Sequence, residues 1–158
     1  MIRTFGLFWH ANYVDWGMRG PGNAGSLMGT RDRRNSADAV DFRLQHGIYA
    51  LYSDFDLVYV GQTGGNAGLL VRLRGHLSDH LADRWDRFSW FGTKRVLASN
   101  RLARGAAAPP IEHSVGLNTI EAVAIAIAEP RLNLKRGNWS AAEAQQYFQV
   151  AAAERSPA

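Results

Sequence analysis

The sequence predicts a small α+β domain: a short three-stranded antiparallel β-sheet flanked by helices, preceded by an aromatic and Gly-rich N-terminal extension. Three observations carry this. The chain has 158 residues, one domain's length, with 46% hydrophobic and 20% charged residues, a globular balance far from that of disordered chains. Two β-branched and aromatic runs, Gly47 to Tyr52 and Leu57 to Val60, flank the turn-forming stretch Ser53-Asp54-Phe55-Asp56. Leucines then recur at helical spacing, at Leu69, Leu70, Leu73, Leu77 and Leu81.

Taken in order, residues 1–40 read as an extension packed on the core, because Phe5, Phe8, Trp9 and Trp16 are too many aromatics for a disordered tail. A strand is expected near Phe5 to Tyr13, then irregular chain. Gly20, Gly22 and Gly25 match G-x-G-x-x-G, but Thr30 to Asn35 is no amphipathic helix, so a dinucleotide site is not expected. Residues 41–137 form the core. It starts with the hairpin, turns at Gly61 to Gly65, continues in the leucine helix and adds a third strand at Arg87 to Gly92. Trp85, Phe88, Trp90 and Phe91 suit either base stacking or the core, with the core favoured for at least two. Lys94 to Arg104 reads as a basic helix and Gly105 to Pro110 as a break. Val123, Ile125 and Ile127 alternate as in a strand, but the surrounding alanines and a capping-box pattern, Asn118 with Glu121, favour a helix that Pro130 ends. Ser140 with Glu143 opens an Ala-rich helix within residues 138–158 by the same device.

Composition excludes several functions. With no cysteine there is no disulfide framework, thiolate zinc site or cysteine nucleophile, which suits a reducing cytoplasm. Neither an apolar leader nor a run of eighteen apolar residues is present, so no membrane association is expected. The net charge is +4, and the stretch from Arg72 to Arg104 exceeds it. There Arg72, Arg74, Arg84, Arg87, Lys94, Arg95, Arg101 and Arg104 face only Asp79, Asp83 and Asp86, so 8 − 3 = +5. Of the 18 basic residues only Lys94 and Lys135 are lysine, and arginine's planar fork grips phosphate bidentately. A nucleic-acid partner is the expectation, with these basic residues lining the phosphate path. His76 and His80 have the spacing of a zinc pair on one helix, but no third ligand is evident.

Gly47-Ile48-Tyr49, then Val58-Tyr59-Val60-Gly61, then Arg72 with His76 one turn later, resembles the GIY-YIG nuclease superfamily. Glu121 and Pro130-Arg131-Leu132-Asn133 look like that superfamily's acidic metal ligand and terminal asparagine motif, so the likeness runs from Gly47 to Asn133. It implies a metal-dependent endonuclease that hydrolyses DNA, duplex or branched. Tyr49 would be the general base, Tyr59 would orient water or phosphate, and Arg72 would hold the scissile phosphate. His76 would hold a tyrosine hydroxyl or the phosphate, and Asn133 would brace the site. Glu121 would anchor a single Mg²⁺ or Mn²⁺. A phenol of ordinary pKa about 10 needs nearby positive charge to act as a base at neutral pH. Some relatives carry a lysine after the second motif's glycine; here it is Gln62. Two alternatives stand beside the nuclease: a catalytically silent nucleic-acid-binding module, and a nuclease subunit made specific by a separate protein; a protein partner or a homodimer is the other expected association.

Overall fold

Thr4–His10 forms the first strand, β1, and it lies inside the sheet rather than outside the core. The computed structural model describes residues 1–18, 21–63, 67–104, 113–128 and 137–152. After β1 come β2 (Met28–Thr30), β3 (Val40–Asp41), β4 (Gly47–Ser53), β5 (Asp56–Gln62), α1 (Gly68–Gly75), β6 (Arg87–Gly92), α2 (His113–Ala128) and β7 (Gln145–Gln149). The strands form one seven-stranded mixed sheet in the order β3-β2-β7-β1-β6-β4-β5, with two α-helices among the described residues. This overturns the expected small three-stranded antiparallel sheet flanked by helices. The hairpin β4–β5 and the third strand β6 are adjacent as expected, but β6 also pairs with β1, so the sheet continues.

Both additions have physical causes. Residues 1–40 supply β1, β2 and the first residue of β3, and Phe5 and Trp9 are each 2% exposed on opposite faces of the sheet. The segment therefore builds the core instead of resting on it. At the other end, no helix forms between Ser140 and Ala152. Asn138 Oδ1 accepts from the Ala141 amide at 3.0 Å, Glu143 turns at φ 56°, and β7 then runs parallel to β1. Helix propensity in Gln145 and Gln146 yields to the hydrogen bonds offered by β1, while Phe148 and Gln149 pair with β2.

The two helices cover opposite faces. Leu69, Leu70 and Leu73 of α1 pack with Tyr49, Leu51, Phe88 and Trp90. Val123, Ala126 and Ile127 of α2 pack with Ile2, Phe5 and Phe91, and Tyr52 Oη donates to the Ile127 carbonyl at 3.2 Å. Each buried leucine contributes about 1.5–3 kcal/mol, so three outweigh the roughly 1 kcal/mol that Gly75 costs a helix. Gly75 is nonetheless where α1 stops, short of the expected Leu81. Leu77 is exposed, while Leu81 re-enters the core from a turn at Asp79, whose carboxylate accepts the Leu81 amide at 2.8 Å.

Further expectations are corrected in the same way. Lys94 to Arg104 is not a helix: a bridge between Val96 and Leu102 folds it into a loop whose apolar side chains pack on the core. α2 is a helix as expected, but it begins by His113, so Asn118 and Glu121 lie within it and form no capping box. Trp85, Phe88, Trp90 and Phe91 are all buried, which leaves none for stacking on bases. The break at Gly105 to Pro110 and the motif ending in Asn133 lie outside the described residues. Among the described residues no helix is long and apolar enough to cross a membrane.

Candidate active site

Two glycines of the hairpin fix where Tyr49 lies. Gly47 has φ 154°, and a Cβ there would meet the Phe91 carbonyl. Gly61 stands opposite Tyr49 in the β4–β5 register, and the volume a Cβ would fill holds the Tyr49 hydroxyl and ring. The phenol therefore crosses β5 at close range toward α1 and the turn behind it.

There it meets a chain of hydrogen bonds. Tyr49 Oη lies 2.7 Å from His76 Nε2, and His76 Nδ1 lies 2.7 Å from Asp79 Oδ2. Arg72 Nε donates to Tyr49 Oη at 3.3 Å. Tyr59 closes the group: its ring is 6.2 Å from that of Tyr49 and 5.1 Å from that of His76. Tyr49 is fully buried and His76 is buried, whereas Arg72 is exposed and Tyr59 half-buried. The outer members of the site are therefore Arg72 and Tyr59.

Electrostatics divides by cause. Burial pushes the Tyr49 phenol above its ordinary value, and the Arg72 hydrogen bond and charge oppose that push without cancelling it. At neutral pH the phenol keeps its proton, and only an acceptor can take it. Asp79 is held below the usual carboxylate range, first by the Leu81 amide and then by His76. With both ring nitrogens of His76 engaged, it is not half of a zinc pair with the exposed His80.

Arg72 borders an open hollow of about 420 Å³ lined by Gln62, Ala67, Gly68, Val71 and Gly75. A second hollow shares Val71 and Gly75 and continues to Trp16, Gly17, Met18 and Asn23. Arg74 ties the two banks, donating to the Trp16 carbonyl at 3.0 Å. The N-terminal segment thus walls the groove that starts at Arg72.

The sequence-derived residues separate accordingly. Tyr49, Tyr59, Arg72 and His76 come together. Glu121 does not join them: it is exposed on α2, across the sheet, and among the described residues no hydrogen bond or ion pair links it to the cluster. The basic residues do not form one stripe. Arg87 is bound to Asp54 and Asp86 at 2.8 Å and lies over Phe55, and Lys94 Nζ donates to the Leu44 carbonyl at 2.6 Å. Arg84, Arg95, Arg101 and Arg104 are exposed. In the sequence Asp79 stands out only as a charge; the signal that picks it out is its place three residues after His76, within reach across one turn. Comparison with protein-family models, with curated proteins and with solved structures finds no match for this chain.

Proposed function

We propose that this chain cleaves phosphodiester bonds, as an endonuclease acting on DNA. The observation that carries the reading is the convergence of a cationic fork and a proton-accepting network on one phenol: Arg72 and His76 both bond to Tyr49 Oη. Hydrolysis needs a base for water and a counter-charge for the phosphorane. Arg72, exposed beside the hollow, has its guanidinium in position for phosphate oxygens, and its long 3.3 Å bond to Tyr49 is readily exchanged for one to phosphate. That movement would uncover Tyr49 Oη to an attacking water oriented by Tyr59.

The resemblance in the motifs also implies one Mg²⁺ or Mn²⁺ at Glu121. The donor is of the right kind, an exposed hard-oxygen ligand, but it sits on the other side of the sheet from Tyr49. Among the described residues no group of three or more His, Asp or Glu gathers around a common point. The described residues do not fit a cation at Tyr49, and no step is routed through one.

A plasmid-nicking assay with and without Mg²⁺, comparing the natural chain with Tyr49→Phe and Arg72→Ala, tests the reading. Cleavage by the natural chain, lost in both variants, supports it. One observation favours a second reading, the silent binding module: Tyr49 is fully buried. DNA binding without nicking under any condition would establish that module instead.

A further inference from the structure

The hydrogen bonds run Asp79, His76, Tyr49 in series, each at 2.7 Å. We infer that Asp79 is the positioning residue that fixes His76 as its Nδ1–H tautomer, and so makes Nε2 the acceptor of the Tyr49 hydroxyl proton. This deepens the nuclease reading and, for its catalytic consequence, rests on it.

Donor and acceptor chemistry decides which ring nitrogen holds the proton. A carboxylate accepts only, so the 2.7 Å contact with Asp79 Oδ2 requires a proton on His76 Nδ1. Asp79 is itself pinned: its other oxygen accepts the Leu81 amide at 2.8 Å. The His76 backbone is held too: its amide donates to the Leu73 carbonyl and Trp85 Nε1 donates to its carbonyl. With Nδ1 protonated, neutral His76 carries its lone pair on Nε2, and the phenol is the group in front of it. The titratable groups against the ring are Asp79 from the turn, Tyr49 from β4 and Tyr59 from β5, while Arg72 reaches Tyr49 and exposed His80 lies 4.0 Å from the Asp79 carboxylate.

The proton balance closes. Tyr49 passes its proton to His76 Nε2, giving a phenolate beside Arg72 and an imidazolium beside the Asp79 carboxylate. The attacking water gives a proton to the phenolate as its oxygen bonds to phosphorus and the bond to the departing oxygen breaks. The imidazolium then returns its proton, through solvent, to the departing alkoxide. Water and diester become monoester and alcohol, and His76 ends neutral.

The test uses the full ¹⁵N-labelled chain. Long-range ¹H–¹⁵N spectra of the histidine rings, with His76 assigned through His76→Gln, report the tautomer without any substrate. The natural chain and Tyr49→Phe should both show Nδ1 protonated and Nε2 bare at neutral pH. Asp79→Asn should lose that bias, because an amide can present N–H to the ring, and cleavage should fall by about 10³–10⁴-fold, as when a triad aspartate is replaced. Asp79→Glu should restore the tautomer and part of the rate. A proton on Nε2 in the natural chain, or an unchanged tautomer in Asp79→Asn, overturns the inference. If no DNA is cleaved by the natural chain, the nuclease reading fails while the spectra still decide the tautomer.

Discussion

Gly61 and Tyr49 face each other across the β4–β5 ladder, and the phenol occupies the space where any other residue at 61 would place its Cβ. The glycine of the second motif is thus required by the tyrosine of the first. Gly61→Ala should displace the phenol from His76 and destabilise the fold by about 1–3 kcal/mol, the usual cost of overpacking. Urea denaturation measures the stability, and nicking should fall with it. A variant as stable and active as the natural chain would show that the phenol has room to spare.

Tyr49→Phe keeps the ring and removes the oxygen. His76 Nε2 is then buried with no partner, at a cost of about 1–3 kcal/mol, while exposed Arg72 recovers its bond from water. Nicking should drop about 10²–10⁴-fold if the phenol is the base. Gel-shift affinity for DNA should stay near that of the natural chain, and a parallel loss of binding would mean that the hydroxyl holds substrate instead.

Acid should weaken the fold through Asp79. Its carboxyl is depressed in the folded state, so its contribution is present above the unfolded value of 3.8 and is lost as pH falls through the lower folded value. On the alkaline side Tyr49 is raised, so its contribution holds below 10.0 and disappears as pH climbs past the folded value. Melting temperatures between pH 2 and 6 should be flatter for Asp79→Asn than for the natural chain. Equal slopes would place the acid sensitivity elsewhere.

Glu121→Gln tests the carboxylate left outside the cluster. As an exposed residue within α2 it should change stability by no more than about 0.5 kcal/mol, and nicking should stay within a few-fold of the natural rate. A hundredfold loss, together with lost Mn²⁺ binding by calorimetry, would bring Glu121 and a cation back to the reaction.

DNA affinity should depend on salt through the free arginines. For each phosphate that Arg95→Ala, Arg101→Ala or Arg104→Ala leaves without its cation, the slope of log K against log[salt] should become shallower by about 0.9. Arg87→Ala should leave that slope unchanged, since its guanidinium is already held by Asp54, Asp86 and the Phe55 ring. Identical slopes for all four variants would remove the loop after β6 from the DNA path.

Local patterns were legible in the sequence where local chemistry decides the structure. The β-branched and aromatic runs Gly47 to Tyr52 and Leu57 to Val60 marked the hairpin, and the spacing of Leu69, Leu70 and Leu73 marked the helix carrying Arg72. What could not be read was decided at long range. Gln145 to Gln149 has no strand signature of its own and becomes β7 because β1 and β2 leave a slot between them. Asp79 was hidden for a related reason: nothing in the leucine spacing announces that the helix ends at Gly75 and that the following turn brings this carboxylate to His76. That Glu121 lies apart from the cluster could not be read, because spacing along the chain does not say which face of a sheet a helix covers.

The parallel pairing of β1 with β7 joins Thr4 to Gln145, whereas both tyrosines sit on a hairpin closed by two adjacent strands. During synthesis the hairpin and α1 are available early, but the middle of the sheet waits for β7, and long-range pairings of this kind form slowly. A ribosome-bound chain halted before Gln145 therefore carries every residue of the Tyr49 cluster while β1 still shows one bare edge. Proteolysis of nascent chains should therefore find β1 open until β7 emerges.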